Sequence, residues 1–257
     1  MRLLVKKITR SNLAIYFRNL LNLKPVHMNI DKIKFSSVSD SFAWRTDNNF
    51  ITKFKYTDIL NIFYKIKNSW VEFHFYTKNN DLIKKTKINN LDLSNELVID
   101  SAFLNGLKDY GTFYVYHFTQ ENVKTENIIS NRCYLGYSQN KNLYSFAHGN
   151  TFAKFIKINN SSEQSTNIVK TSFFKNQNYK IQKYFDTFEK VELFFTNPTS
   201  KKINFSINNE NNFILNNGCS IIVNTTNKKI INIKSNCLFL RPLVFNYNKD
   251  YLDVHHS

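Results

Sequence analysis

The chain has 257 residues, with 24 Phe and 14 Tyr against only 5 Gly and 3 Pro. That is enough apolar mass for a full core and the opposite of a disordered composition. The formal net charge of +16 suggests a polyanionic partner. Lys outnumbers Arg roughly five to one, however, and Asn, Ile, Phe and Tyr are abundant. An AT-rich genome imposes that pattern on any protein, whereas phosphate and base-edge recognition favours the bidentate Arg fork. Nucleic acid is therefore disfavoured as a partner.

In chain order, residues 1–24 carry Arg2, Lys6, Lys7, Arg10, Arg18 and Lys24, and the first acid is Asp31. Ser11 can cap a helix. Leu13, Tyr16, Phe17, Leu20 and Leu21 recur at helical spacing, and Pro25 closes the segment. The expectation is a short basic amphipathic helix, docked on the body, lying on a membrane surface or serving as an organelle-targeting presequence. No apolar run reaches the roughly 18–20 residues needed to span a bilayer. The expected location is the cytoplasm or the cytoplasmic face of a membrane.

From Phe35 onward strand patterns dominate. Residues 51–56 alternate, 71–76 and 112–118 are β-branched and aromatic, and 131–137 continue after a polar loop. Residues 57–68 form a second helical candidate, with Asp58 as its cap; 91–106 fit neither template. The polar stretch 158–168 reads as a linker. Short strands follow at 191–196, 202–207, 213–215, 220–224, 229–234, 238–246 and 251–255, and Asn216-Asn217-Gly218 is a tight-turn signal.

Four phrases recur in order. Residues 55–58 echo 183–186, and 70–75 echo 190–195. Residues 131–133 echo 235–237, and 146–150 echo 253–257. The expected fold is all-β: two tandem related antiparallel β-sandwich units, jelly-roll-like, behind a short basic helix. The boundaries are 1–34 for the helix and its connection, 35–157 for the first unit, 158–168 for the linker and 169–257 for the second unit.

Chemistry is sparsely marked. There is no glycine-rich phosphate loop, no GxSxG and no CxxC. Nothing implies a cofactor. His27 and His74 read as incidental or packed. His117, His148, Asp253 and His255 are candidate acid/base groups or metal ligands, and His148, His255 and His256 a candidate metal shell, although no spacing demands a metal. Because His148 and His255 hold equivalent places in the repeats, they would converge only if the two units meet at those ends. Trp44, Arg45 and Asp47, with Tyr134, Tyr137 and Tyr144, form a candidate stacking surface. The favoured function is non-catalytic recognition of a carbohydrate or surface polysaccharide. The alternatives are an enzyme of glycan or nucleotide-sugar metabolism and, third, a basic nucleic-acid-associated protein.

Overall fold

A computed structural model describes residues 2–9, 11–21, 34–123, 129–130, 133–140, 143–149, 152–158, 164–171, 177–182, 188–225, 230–237 and 240–256. His27, residues 183–186 of the first echo and residues 131–132 of the third lie outside them, as do Asn150 and Ser257 of the fourth.

Two helices, α1 (Arg2–Thr9) and α2 (Asn12–Leu20), open the chain. Ser11 caps α2, its hydroxyl accepting from the Ala14 amide at 3.2 Å. The third helix, α3 (Ile59–Tyr64), starts where Asp58 was read as a cap. The Asp58 carboxylate accepts from the Asn61 amide, and Lys65 ends the helix in the left-handed region. Its inner residues, Ile59 and Leu60, join Ile66, Val123, Ile129 and Ile158 in a small satellite core.

The rest is β. Among the described residues there are five four-stranded sheets. The first runs β12 (Thr166–Asn167), β11 (Phe152–Lys157), β1 (Ser36–Asp40), β8 (Ile129–Ser130). The second runs β2 (Phe42–Arg45), β7 (Tyr110–Thr119), β4 (Ser69–Thr77), β5 (Leu82–Asn89). The third runs β10 (Ser145–Ala147), β9 (Cys133–Gln139), β3 (Phe50–Tyr56), β6 (Asn95–Ile99). The fourth runs β13 (Gln177–Gln182), β18 (Ile230–Ser235), β15 (Ile203–Ile207), β16 (Asn211–Leu215). The fifth runs β17 (Ser220–Thr225), β14 (Lys190–Thr196), β19 (Leu243–Tyr247), β20 (Leu252–His256).

The all-β class with repeated units holds, but two tandem sandwiches do not. The five sheets are arranged as blades of a propeller-like ring. Each blade gathers strands that are distant in sequence: β3 pairs with β6 and β9, and β2 with β7. Alternation identifies a strand and its buried face, but not the strand beside it. The grouping was therefore invisible in the pattern that identified the strands.

Two large apolar cores join the second to fifth sheets, and a smaller cluster of Tyr114, Tyr116, Phe118, Ala153 and Ile156 joins the second sheet to the first. The larger of the two cores takes Phe42, Phe54, Phe73, Phe75 and Phe113 from the second and third sheets, and Phe194, Leu243, Phe245 and Val254 from the fifth. The other takes Leu193, Phe195, Phe205, Ile231 and Ile233 from the fourth and fifth. The fifth sheet thus feeds both cores, one from each face. Its period-two alternation sends Phe194 one way and Leu193 and Phe195 the other. The two sequence halves accordingly share a core. The end of the stretch read as a linker also belongs to the body, since Thr166 and Asn167 pair with β11 and Ile168 is buried.

Candidate functional site

Trp44 and Arg45 do not lie on the exposed stacking surface expected of them. They end β2, which is buried along its whole length. The Trp44 indole is fully buried and donates to the Tyr76 carbonyl at 2.9 Å. The Arg45 guanidinium is 1 % exposed. It donates to Asp47 through Nε at 2.9 Å and Nη2 at 2.7 Å, and through Nη1 to Glu192 at 2.6 Å and the Tyr247 hydroxyl at 3.0 Å. Its carbon centre lies 4.1 Å from the Phe50 ring centroid and 4.8 Å from that of Phe245. Burial raises the Glu192 carboxyl, but Arg45, Lys190 and Tyr247 outweigh it and leave the group below its usual value. Arg45, Asp47 and Phe50 come from the first half of the chain; Glu192, Phe245 and Tyr247 come from the second. This is an ionic seam between the halves, built around a buried guanidinium.

The aromatic surface lies elsewhere, on the outer face of the third sheet. On β3 the residues Phe50, Phe54 and Tyr56 go inward, which leaves Lys53 and Lys55 outward. On β9 Leu135 and Tyr137 are buried while Tyr134 is 55 % exposed. The Tyr137 hydroxyl donates to the Ala43 carbonyl at 3.0 Å, so Tyr137 belongs to the core and not to the stacking surface. On β10 Phe146 faces out and Ala147 in. The register sets Phe146 opposite Gly136, Gly136 opposite Lys53, and Tyr134 opposite Lys55.

Gly136 makes the face flat. A Cβ there would come within 2.6 Å of the Phe146 ring, so only glycine lets that ring lie across β9. Tyr144 packs 6.0 Å from Phe146, and Tyr134 packs 4.9 Å from the His148 imidazole. The Lys53 ammonium sits 4.6 Å from the Tyr144 ring centre and that of Lys55 5.5 Å from Phe146. Both lysines reach Glu96, at 2.9 Å and 3.9 Å.

One end of this face opens into a cleft of about 440 Å³, lined by Asp40, Lys55, Cys133, Tyr134, His148 and Gly149 among others. Asp40 ends β1 and is pressed by the chain at Gly149, where a Cβ would stand 2.2 Å from Oδ2. Burial pushes the Asp40 carboxyl up to about 6, with the nearby His148 pulling the other way. Burial also raises the Cys133 thiol, which argues against a thiolate nucleophile. Asp40 carries no sequence motif. Only the folding of β1 against the segment after β10 reveals it.

The remaining histidines are dispersed. His117 is fully buried within β7, its amide donating to the Ser37 hydroxyl at 2.8 Å. His74 is buried on β4, 3.4 Å from Glu72, and burial lowers its pKa. The closing phrases of the two repeats do meet, because β10 and β20 lie side by side. The Ser145 hydroxyl accepts from the Val254 amide at 2.8 Å. Alternation along β20 puts His256, not His255, on the side of His148, and His256 Nε2 bonds the His148 carbonyl. His255 bonds Asp253 at 3.0 Å, and Asp253 accepts from Asn246 at 3.0 Å. Asp253 and His255 therefore face away from the cleft. Among the described residues no group of three or more His, Cys, Asp or Glu could hold a metal ion.

No described helix is long and apolar enough to cross a membrane. Comparison with protein-family models, with curated proteins and with solved structures finds no match.

Proposed function

We propose that the protein binds a carbohydrate chain, lying along the outer face of the third sheet with one end in the adjoining cleft. The observation that carries this reading is the pair of exposed rings Tyr134 and Phe146, with half-buried Tyr144 packed on Phe146, beside Lys53 and Lys55. Aromatic faces stack on the apolar C–H faces of sugar rings. Lysine ammonium groups donate to hydroxyls and to carboxylate or sulfate substituents. A rigid sheet holds the rings in place before the ligand arrives, so little ordering opposes binding. The Lys53 and Lys55 charges exceed that of Glu96, which favours an acidic polysaccharide over a neutral one.

A glycan array with wild-type protein and with Tyr134→Ala and Phe146→Ala tests the reading. Binding to acidic glycans that drops in both variants supports it. Absence of binding across the array, or binding indifferent to both rings, refutes it.

A second reading is catalysis on the same glycan in the cleft. It is favoured by Asp40, whose carboxyl is pushed up to about 6 beside His148. A carboxyl tuned towards neutrality next to an imidazole suits general acid/base transfer. Any glycan bound in the array is then incubated with the protein and its products are weighed. Turnover that Asp40→Asn abolishes would establish this reading over simple binding.

A further inference from the structure

The two N-terminal helices present their apolar residues outward. Leu4, Val5 and Ile8 of α1 and Leu13, Tyr16, Phe17 and Leu21 in and just beyond α2 are all more than half exposed. In α2 these positions form a single stripe at helical spacing, the stripe that would be buried if the helix were docked on the β body. Ile15, on another side of α2, is the buried residue instead. The hairpin is held in this pose from within. The Arg18 guanidinium donates to the Ala14 carbonyl at 3.3 Å and to the Thr9 carbonyl at the end of α1.

Seven large apolar side chains lie exposed on two adjoining helices, and apolar surface gathered in this way marks interaction sites. The charge of this segment of sequence points to the partner. Six basic residues lie within residues 1–24, and no acid occurs before Asp31. A surface that takes Leu and Phe into an apolar layer while meeting a dense field of positive charge is an anionic lipid bilayer. A second copy of the chain would bring like charge against like charge.

We propose that α1 and α2 form a membrane-surface anchor for anionic lipid, with the apolar stripe immersed at the headgroup boundary. The β body, including the glycan-binding face, is then held at that surface. The anchor does not depend on the carbohydrate reading, and either can fail alone.

Flotation of the full chain with vesicles is the test. One set is phosphatidylcholine alone; the other contains about one-third phosphatidylserine. The wild type floats with the anionic set, at least about tenfold more tightly than with the neutral set, and less as salt rises. The double variant Leu13→Ser, Phe17→Ser keeps every charge and the melting temperature of the β body, but loses about tenfold or more in binding. Equal flotation of the double variant would reduce the contact to charge adsorption and overturn the proposal. So would failure of the wild type to float with anionic vesicles, or a self-association in vesicle-free solution that the double variant abolishes.

Discussion

The Trp44–Arg45 seam and the Tyr134–Phe146 face are both built from aromatic rings beside cations, yet they differ in exposure. In the seam the Trp44, Phe50 and Phe245 rings are buried, and the cation is neutralised by two carboxylates. On the face the rings look into solvent, and two ammonium groups share one carboxylate. Composition does not separate them. What does is burial along the strand: β2 is buried throughout, whereas β9 and β10 leave Tyr134 and Phe146 exposed. A residue type that binds ligands at a surface serves as mortar inside.

The largest expected effects are in the seam. Arg45→Met takes the buried guanidinium from half-buried Asp47 and from buried Glu192, which keeps only Lys190, and costs about 3 kcal/mol, read as a fall in urea midpoint. Trp44→Ala opens a cavity in the larger core and costs a similar 3–5 kcal/mol or so. If either variant lost glycan binding while melting like the wild type, the division between mortar and surface would be wrong.

A second buried cation sharpens the point. Lys154 on β11 is 8 % exposed, with the Tyr114 ring centre 4.3 Å and the Tyr76 ring centre 5.1 Å from its ammonium. Among the described residues no carboxylate forms an ion pair with it. Burial lowers its pKa from 10.5 to about 8. The unfolded chain therefore binds more protons between pH 8 and 10.5, and stability rises with pH across that window. Lys154→Met abolishes the rise and stabilises the protein at pH 7 by up to about 3 kcal/mol. Arg45→Met has the opposite sign, because it removes a charge that its neighbours need.

At the cleft the sign reverses again. The Asp40 carboxyl is raised from 3.8 to about 6, so the folded state binds more protons between those values. Stability falls as pH rises from about 4 to about 6 and is flat above, a loss of about 3 kcal/mol that Asp40→Asn removes. Denaturation series at pH 4, 5, 6 and 7 would show it. A wild type with no such slope would mean that Asp40 is not held out of water by the Gly149 segment.

The smallest effects belong to the exposed rings. Tyr134→Ala and Phe146→Ala should change stability by less than about 0.5 kcal/mol. Each should weaken glycan binding by about 1 kcal/mol, roughly fivefold.

Much of the strand content was legible because alternation and β-branched runs are local signals. The helix at Ile59–Tyr64 was legible from Asp58 and its apolar spacing. The sheets were not, because β1 meets β11 and β3 meets β9 across connections of many residues, and no local pattern names a partner. The same gap explains the site. Tyr134 and His148 stood among the candidates, and their register brings them together. Trp44 stood there too, but four polar neighbours in sequence disguised a fully buried strand. Asp40 had no signal, since its environment is made by residues more than a hundred positions away.

Paired binding and melting of the double variant Tyr134→Ala, Phe146→Ala, beside Trp44→Phe, tests the assignment of the outer face most directly. The expected result is a wild type that binds an acidic glycan. The double variant then melts with it but binds at least about tenfold more weakly, and Trp44→Phe melts lower but binds normally once folded. A double variant that binds like the wild type, or a Trp44→Phe protein that is folded yet cannot bind, would contradict it.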